Sequence, residues 1–457
     1  MRIILISTLL ISLRLCGQSF SNGLSADPSY FPIAVWLQDA ENIANYQAIG
    51  INMYVGLWNG PTQTQLQALK TADMSVICDQ NSYALANLST YGRVIKGWMQ
   101  GDEPDNAQWN EATQTYDPCI DTSVVQADYA AWRTQDTTRP VFLNLGQGVA
   151  YISYIGRGAC SGNTRLYPGY LRGCDIVSYD IYPVNSEYAQ VRDSLWYVPK
   201  GVDSLRRWGN DTKPVWCWIE CTAINANQKP TPAQVKAEVW MALIHGARGF
   251  GYFCHSWYPF FAEAALLADP EMKDSVATIN VQVRSLAPAL NSPDAVNAVF
   301  VASSNTAVPV DVLTKIHGDS LYVFAAAMRG EATNATFTLN NGSRGSEVDV
   351  IGESRTLILS GNSFTDAFGG YGVHLYRIWN TSTSGETMLI PVREKRTVRF
   401  EIYDVRGRLV GSIKGRYDGS DGFPQFAAME QNLPNGIYLC RISGNGVKVA
   451  TIRVVIR

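Results

Sequence analysis

Eight short apolar runs, each followed by a longer polar or amphipathic stretch, restrict this chain more than any other feature. They are residues 31–37, 51–58, 74–78, 94–99, 140–144, 175–179, 214–219 and 249–254. Helical patterning fills residues 39–48, 64–72, 123–135, 189–208, 232–244 and 271–286 between and after them. Runs that are apolar throughout, rather than alternating, fit strands buried on both faces, which is the condition of a parallel sheet covered by helices. Eight such units in about 260 residues match a closed (β/α)₈ TIM barrel. An open doubly wound sheet would call for a Gly-rich phosphate turn after an early strand. The first connections, Gln38-Asp39 and Asn59-Gly60-Pro61, have none.

A barrel gathers the carboxyl ends of its strands around one mouth, so the residues there are the candidates for function. In chain order they are Trp36 with Gln38, Trp58 with Asn59, Asp79 to Asn81, Asp102 with Glu103, Asn144 with Gln147, Asp180 with Tyr182, Glu220, and His255 with Trp257. Most of these ends carry a polar or aromatic group suited to a sugar, whose ring offers both hydroxyls and an apolar face. The tetrapeptide Asp102-Glu103-Pro104-Asp105 ends the fourth run, and Pro104 bars Glu103 from the right-handed helical region, predicting an extended, stiff support. Glu220 closes an otherwise apolar run, VWCWIE. A carboxylate at a strand end can simply solvate or brace that end. Two of them from strands four and seven can face each other across a barrel mouth. Hydrolysis of a glycosidic bond uses such a pair, one to protonate the leaving oxygen and one to attack or to activate water, at about 5 to 5.5 Å for retention and about 6.5 to 9.5 Å for inversion.

The segments GWMQGDEPDN, YDIYPV, VWCWIECT and FCHSW, within residues 27–290, resemble the retaining glycoside hydrolases of clan A. The resemblance implies Glu103 as acid/base, Glu220 as nucleophile, Tyr182 as a donor to that nucleophile and Trp257 as an aromatic platform. Asp102 departs from the pattern, since the clan usually has Asn before its acid/base. The expected activity is retaining hydrolysis of a β-linked polysaccharide, a glucan or hemicellulose, with cleavage inside the chain. Trp36, Trp58, Asp102, Asn144, Asp180 and His255 join Tyr182 and Trp257 as substrate-binding candidates, with Asp180 equally readable as a loop brace and His255 as a packed ring. Tyr83, Trp109 and Tyr258 are further stacking candidates, and His245 reads as structural. The alternatives are an exo-glycosidase or transglycosylase on the same scaffold, and a non-catalytic glycan-binding protein.

Composition narrows the partners. Formal net charge is −3 with no basic block, which argues against nucleic acid. Of 12 tryptophans, 11 precede residue 260, concentrating flat apolar surface in the barrel. Four histidines and no paired CxxC spacing leave no zinc-type centre, and no cofactor is expected. Residues 1–17 have a basic residue near the start and an apolar run too short to span a bilayer, the pattern of a secretory signal, so residues 1–26 are expected to be a leader and the protein exported. No other stretch is a membrane-span candidate. Export permits disulfides, and Cys119 with Cys160 or Cys174 is the expected staple, with Cys217, Cys221 and Cys254 as buried thiols.

After the barrel, residues 291–379 alternate as short strands and turns, a small β-sandwich resembling the accessory β-domain that packs beside such barrels. Residues 380–387 (NTSTSGET) form a linker by composition. Residues 388–457, through YDVRGRLV, LPNGIYL and a basic last strand, resemble the C-terminal sorting domain of the type nine secretion system of Bacteroidota. That resemblance implies the secretion machinery as a partner and a secreted or cell-surface destination.

Overall fold

A computed structural model of the chain describes residues 20–225, 228–340, 344–380, 396–404, 409–417, 436–444 and 447–456. It comprises two compact units, Met1–Thr381 and Ser382–Arg457. The expected leader up to residue 19 and the linker from residue 381 lie outside the described residues.

Eight parallel strands close the first unit into a barrel: β1 (Ile33–Trp36), β2 (Met53–Val55), β3 (Ser75–Cys78), β4 (Ile95–Met99), β5 (Val141–Leu145), β6 (Ile176–Asp180), β7 (Val215–Glu220) and β8 (Gly249–Phe253). Each pairs with its successor, and β8 returns to β1 with Ile33 opposite Phe250. All eight expected runs hold a strand, because each is buried on both faces. One set of side chains, with Met53, Phe142, Trp216 and Trp218 among them, fills the interior. Its neighbours along the strands pack outward against the helices. Two tryptophans from one strand fit because β8 has no side chain where they lie. A Cβ on Gly251 would come 2.1 Å from the Trp218 ring, and one on Gly249 would come 2.4 Å from Trp216.

Helix starts carry local signals. Thr62 and Thr231 each cap with a Gln three residues on in a reciprocal box, and Pro232 takes the first turn where its missing N–H costs nothing. The helix expected over 189–208 starts only at Tyr197. Pro199 accounts for the late start, since the ring is tolerated in a first turn but breaks an interior one. A two-stranded hairpin, Gln108–Asn110 with Thr115–Asp117, follows β4 and has no counterpart in the sequence expectation. Cys119 is bonded to Cys160, one of the two expected partners, while Cys174, Cys217, Cys221 and Cys254 are free and buried.

Residues 299–340 and 344–380 form a sandwich of a three-stranded and a five-stranded antiparallel sheet, with Phe337 stacked on Phe364 at 4.7 Å in its core. It packs on the barrel's helical layer, where Trp240 meets Phe324 at 5.5 Å. His245 joins the two layers, bonded at 2.9 Å to Asp203 and at 3.1 Å to Asp311. The second unit holds a four-stranded antiparallel sheet, Leu409–Tyr417, Arg396–Asp404, Gly436–Gly444 and Val447–Ile456 in spatial order. Among the described residues no helix is long and apolar enough to cross a membrane, and no cluster of His, Cys, Asp or Glu is arranged to hold a metal ion.

Candidate active site

A cavity of about 260 Å³ opens at the carboxyl ends of the barrel strands, lined by Trp36, Asp102, Glu103, Gln147, Asp180, Ile181, Tyr182, Trp218 and Phe253. A larger open depression, between the helices around Ala40 and Gln67, has Glu41 as its one ionisable lining residue and no converging groups.

The loop after β4 brings Glu103 into the cavity by a route other than the extended one expected. Glu103 has φ +44°, in the left-handed region. Pro104 removes the right-handed helical basin, and hydrogen bonds on both sides select the left-handed region over the extended one. The Glu103 amide donates to Asn144 O at 3.1 Å, and the Asn106 amide donates to Glu103 O at 3.0 Å. A non-glycine residue held there is strained by roughly 1 to 3 kcal/mol, so the surroundings must hold it firmly. Asp105 does much of this. Fully buried, it accepts from the Gly146 amide at 2.8 Å and from the Tyr167 hydroxyl at 3.1 Å, and Arg157 lies 3.7 Å from its carboxylate. Asn106 Nδ2 donates to Glu103 Oε2 at 2.8 Å. Gly146 leaves the room, since a Cβ there would come 2.9 Å from Glu103 Oε1 and 2.6 Å from Asn106 Nδ2.

Three carboxyl groups crowd one side of the cavity. Asn144 on β5 donates to Asp102 Oδ1 at 3.0 Å and to Asp180 Oδ2 at 3.4 Å, and is itself oriented by Ser178, whose hydroxyl donates to Asn144 Oδ1 at 2.6 Å. Asp180 and Glu103 share a hydrogen bond between their carboxyl groups. Burial, then the charges of Asp102 and Asp105, push Glu103 up to about 7. Loss of water around its carboxylate, although the residue as a whole stays exposed at the mouth, is also the main cause that raises Asp102 to about 6, against the Asn144 hydrogen bond. Asp180 is raised well above its ordinary value by burial and by the Glu103 and Asp102 charges. The arrangement is a proton store next to an anion, set in a cavity of about one sugar ring. Trp36 and Trp218 meet edge to face at 4.8 Å on the facing walls, with Phe253 and Tyr182 5.1 Å apart beside them.

Glu220 is not part of this group. Its carboxylate is fully buried and accepts from the Val184 amide at 2.6 Å, the Asn185 amide at 2.9 Å and Asn185 Nδ2 at 2.5 Å. The buried carboxyl of Glu238, on the helix Pro232–Ile244, is raised well above its ordinary value by burial and by the Glu220 charge. The expected pairing of Glu103 with Glu220 across the mouth is therefore corrected: Glu103 meets Asp180, and Glu220 ties down the chain just after Tyr182. Tyr182 is likewise relocated, since backbone amides and Asn185 take the donor role expected of it, and its ring lines the cavity.

The other candidates divide by position. Trp36, Asp102, Asp180 and Tyr182 line the cavity, and Asn144 supports it from beneath. His255 is buried, 3.1 Å from Leu37 O, and Trp58 stacks on it with about two fifths of its surface exposed. Trp257, half exposed, stacks on Phe253 at 5.6 Å and contacts Phe261. Tyr258 and Phe260 are exposed in the same loop, and Trp109 with Tyr116 is exposed on the hairpin after β4. Tyr83 packs with Tyr91, and Asp79 is raised by burial but does not line the cavity. Sequence reasoning missed Trp218 and Arg157; Gln147 was named among the strand-end groups, and Asp105 was named in the acidic cluster without its supporting role. Trp218 was recoverable from its alternation with Trp216; nothing local marks Arg157.

No protein-family model and no curated protein matches the chain. Among solved structures, it is similar to an α-amylase from Anoxybacillus with TM-score 0.41 and 9% identity, over 79% of this chain and 100% of the other. A GH30 endoxylanase from Clostridium papyrosolvens is similar with TM-score 0.42 and 11% identity, over 80% of this chain and 98% of the other. At these values neither likeness argues for a function, which rests on the geometry above.

Proposed function

We propose that this chain is an exported glycosidase that cleaves a β-linked glycan with retention, Glu103 serving as the acid that protonates the leaving oxygen. One observation carries the reading: a strained, half-buried glutamate raised to about 7 lines a cavity of about 260 Å³ together with Trp36, Tyr182, Trp218 and Phe253. A carboxyl that still holds its proton near neutrality is what general acid catalysis asks for, and aromatic faces are what a sugar ring packs on. Exposed rings on two sides of the mouth, Trp58, Trp257 and Phe261 on one and Trp109 with Tyr116 on the other, favour a chain bound across the cavity and cut in its interior. Export through an N-terminal leader, and passage through the type nine secretion machinery by residues 388–457, belong to the same proposal. Removing those residues in a secreting Bacteroidota host should trap the protein in the periplasm.

The experiment is a screen of wild type and Glu103→Gln for new reducing ends on β-glucans, xylans, mannans and amino-sugar polymers. The reading expects release by wild type and its loss in the variant. The second reading, a glycan-binding protein, gains its support from the same exposed rings. It would be favoured by equal affinity in both proteins with no release by either.

A further inference from the structure

Among the described residues that line it, the cavity has an acid but no carboxylate opposite it. Its three carboxyl groups come from β4 and β6, which flank β5, whereas the walls contributed by β1, β7 and β8 are Trp36, Trp218 and Phe253. Hydrolysis by two carboxylates needs about 5 to 5.5 Å between them, or about 6.5 to 9.5 Å with a water between. Glu103 and Asp180 instead touch, leaving no space for an anomeric carbon between them. Glu220, at the end of β7, is enclosed by its own hydrogen bonds, and Asp79, after β3, does not line the cavity. A glycosidase built this way has to take its nucleophile from the substrate.

We infer that the sugar occupying the cavity carries a 2-acetamido group, whose carbonyl oxygen attacks the anomeric carbon while Glu103 protonates the departing oxygen and Asp102 holds the amide. The inference rests on the glycosidase reading and names its substrate class. In the first step the carbonyl oxygen donates an electron pair to C1 as the C1–O glycosidic bond breaks. That bond's electrons stay on the leaving oxygen, which takes the Glu103 proton. The product is a cyclic oxazolinium ion, whose positive N–H faces a carboxylate. Asp102, kept in place by Asn144 Nδ2 at 3.0 Å, supplies that carboxylate. Tyr182 lines the cavity beside it, and the Trp36–Trp218 edge gives the acyl methyl an apolar surface. In the second step Glu103 takes a proton from water, which attacks C1, and the C1–O bond of the ring returns its electrons to the amide. The sum is glycoside plus water giving a hemiacetal sugar and an alcohol, with configuration retained after two inversions.

The test compares the full chain on 4-nitrophenyl β-glycosides of N-acetylglucosamine and N-acetylgalactosamine with those of glucose, galactose and xylose. The active acetamido substrate is then assayed as its mono-, di- and trifluoroacetyl analogues. Fluorine weakens the carbonyl as a nucleophile, so kcat/KM should fall by about a hundredfold or more along the series, the scale of losing a positioned catalytic group. A thiazoline mimic of the cyclic ion should inhibit wild type and lose at least tenfold in affinity for Asp102→Asn. Faster cleavage of the 2-hydroxy glycosides, with covalent capture by a 2-fluoro sugar, or a flat fluoroacetyl series, would overturn this inference and leave the glycosidase reading standing. Turnover of neither class by wild type would overturn the glycosidase reading itself.

Discussion

Replacing Glu103 by Gln removes one proton and little else, since Gln keeps the shape and the contact with Asn106 Nδ2 at 2.8 Å through its carbonyl oxygen. The size of the loss follows from the site. A glutamate at its ordinary value of 4.5 would be protonated about 0.3% of the time at pH 7, whereas Glu103, raised to about 7, is protonated about half the time. The surroundings thus raise the available acid roughly 150-fold, equivalent to about 3 kcal/mol of barrier. With proton transfer itself contributing about 10² to 10⁴, Glu103→Gln should lose that factor in kcat/KM on substrates with poor leaving groups. It should lose little on a dinitrophenyl glycoside, whose departing oxygen needs no proton. In wild type the acid is lost as pH rises through about 7, and the Asp102 anion is lost as pH falls through about 6. The pH–rate profile should therefore be a narrow bell, and the variant should lose its alkaline limb. A loss equal for all leaving groups, or an alkaline limb that survives in Glu103→Gln, would refute the reasoning.

Other substitutions separate the parts. Gly146→Ala places a Cβ 2.9 Å from Glu103 Oε1 and should cut activity by about tenfold or more, with a far smaller change in urea midpoint; unchanged activity would show that Glu103 has slack. Glu220→Gln exchanges one oxygen that accepts backbone amides for a donor, leaving buried groups unmet, and should lower stability by roughly 1 to 3 kcal/mol in urea unfolding. A loss of about 10⁴ in rate, with unchanged stability and rescue by azide, would instead return Glu220 to the nucleophile's role. His245 is pulled down by burial but pushed further up, to about 9, by its hydrogen bonds to Asp203 and Asp311. Because the folded value exceeds the ordinary 6.5, its contribution is full below about 6.5 and is lost as pH rises through about 9. The stability gap between wild type and His245→Gln should close over that range; a gap independent of pH would contradict it.

The barrel was legible because each strand is a run buried on both faces, and Glu103 because an acidic cluster interrupts such a run at its end. Glu220 was legible as a strand-end carboxylate but not in its role. Which way that carboxylate turns depends on the Val184 and Asn185 amides and on Glu238, groups distant in sequence that no local pattern links to it. The left-handed backbone at Glu103 escaped for a related reason: Pro104 excludes one conformation, while the choice between the others is made by Asn144 from another strand. Asp180 carried two readings, substrate contact and brace. Its shared hydrogen bond with Glu103 places it in the cavity's acid group, a contact between β6 and the loop after β4 that only closure of the barrel creates.

The most direct test is the structure of Glu103→Gln with an uncleaved oligosaccharide. The account predicts one ring in the cavity between the carboxyl side and the Trp36–Trp218 wall, with the bridging oxygen within about 3.2 Å of the side chain at position 103. A sugar bound elsewhere, or an anomeric carbon approached by the Glu220 carboxylate, would contradict it.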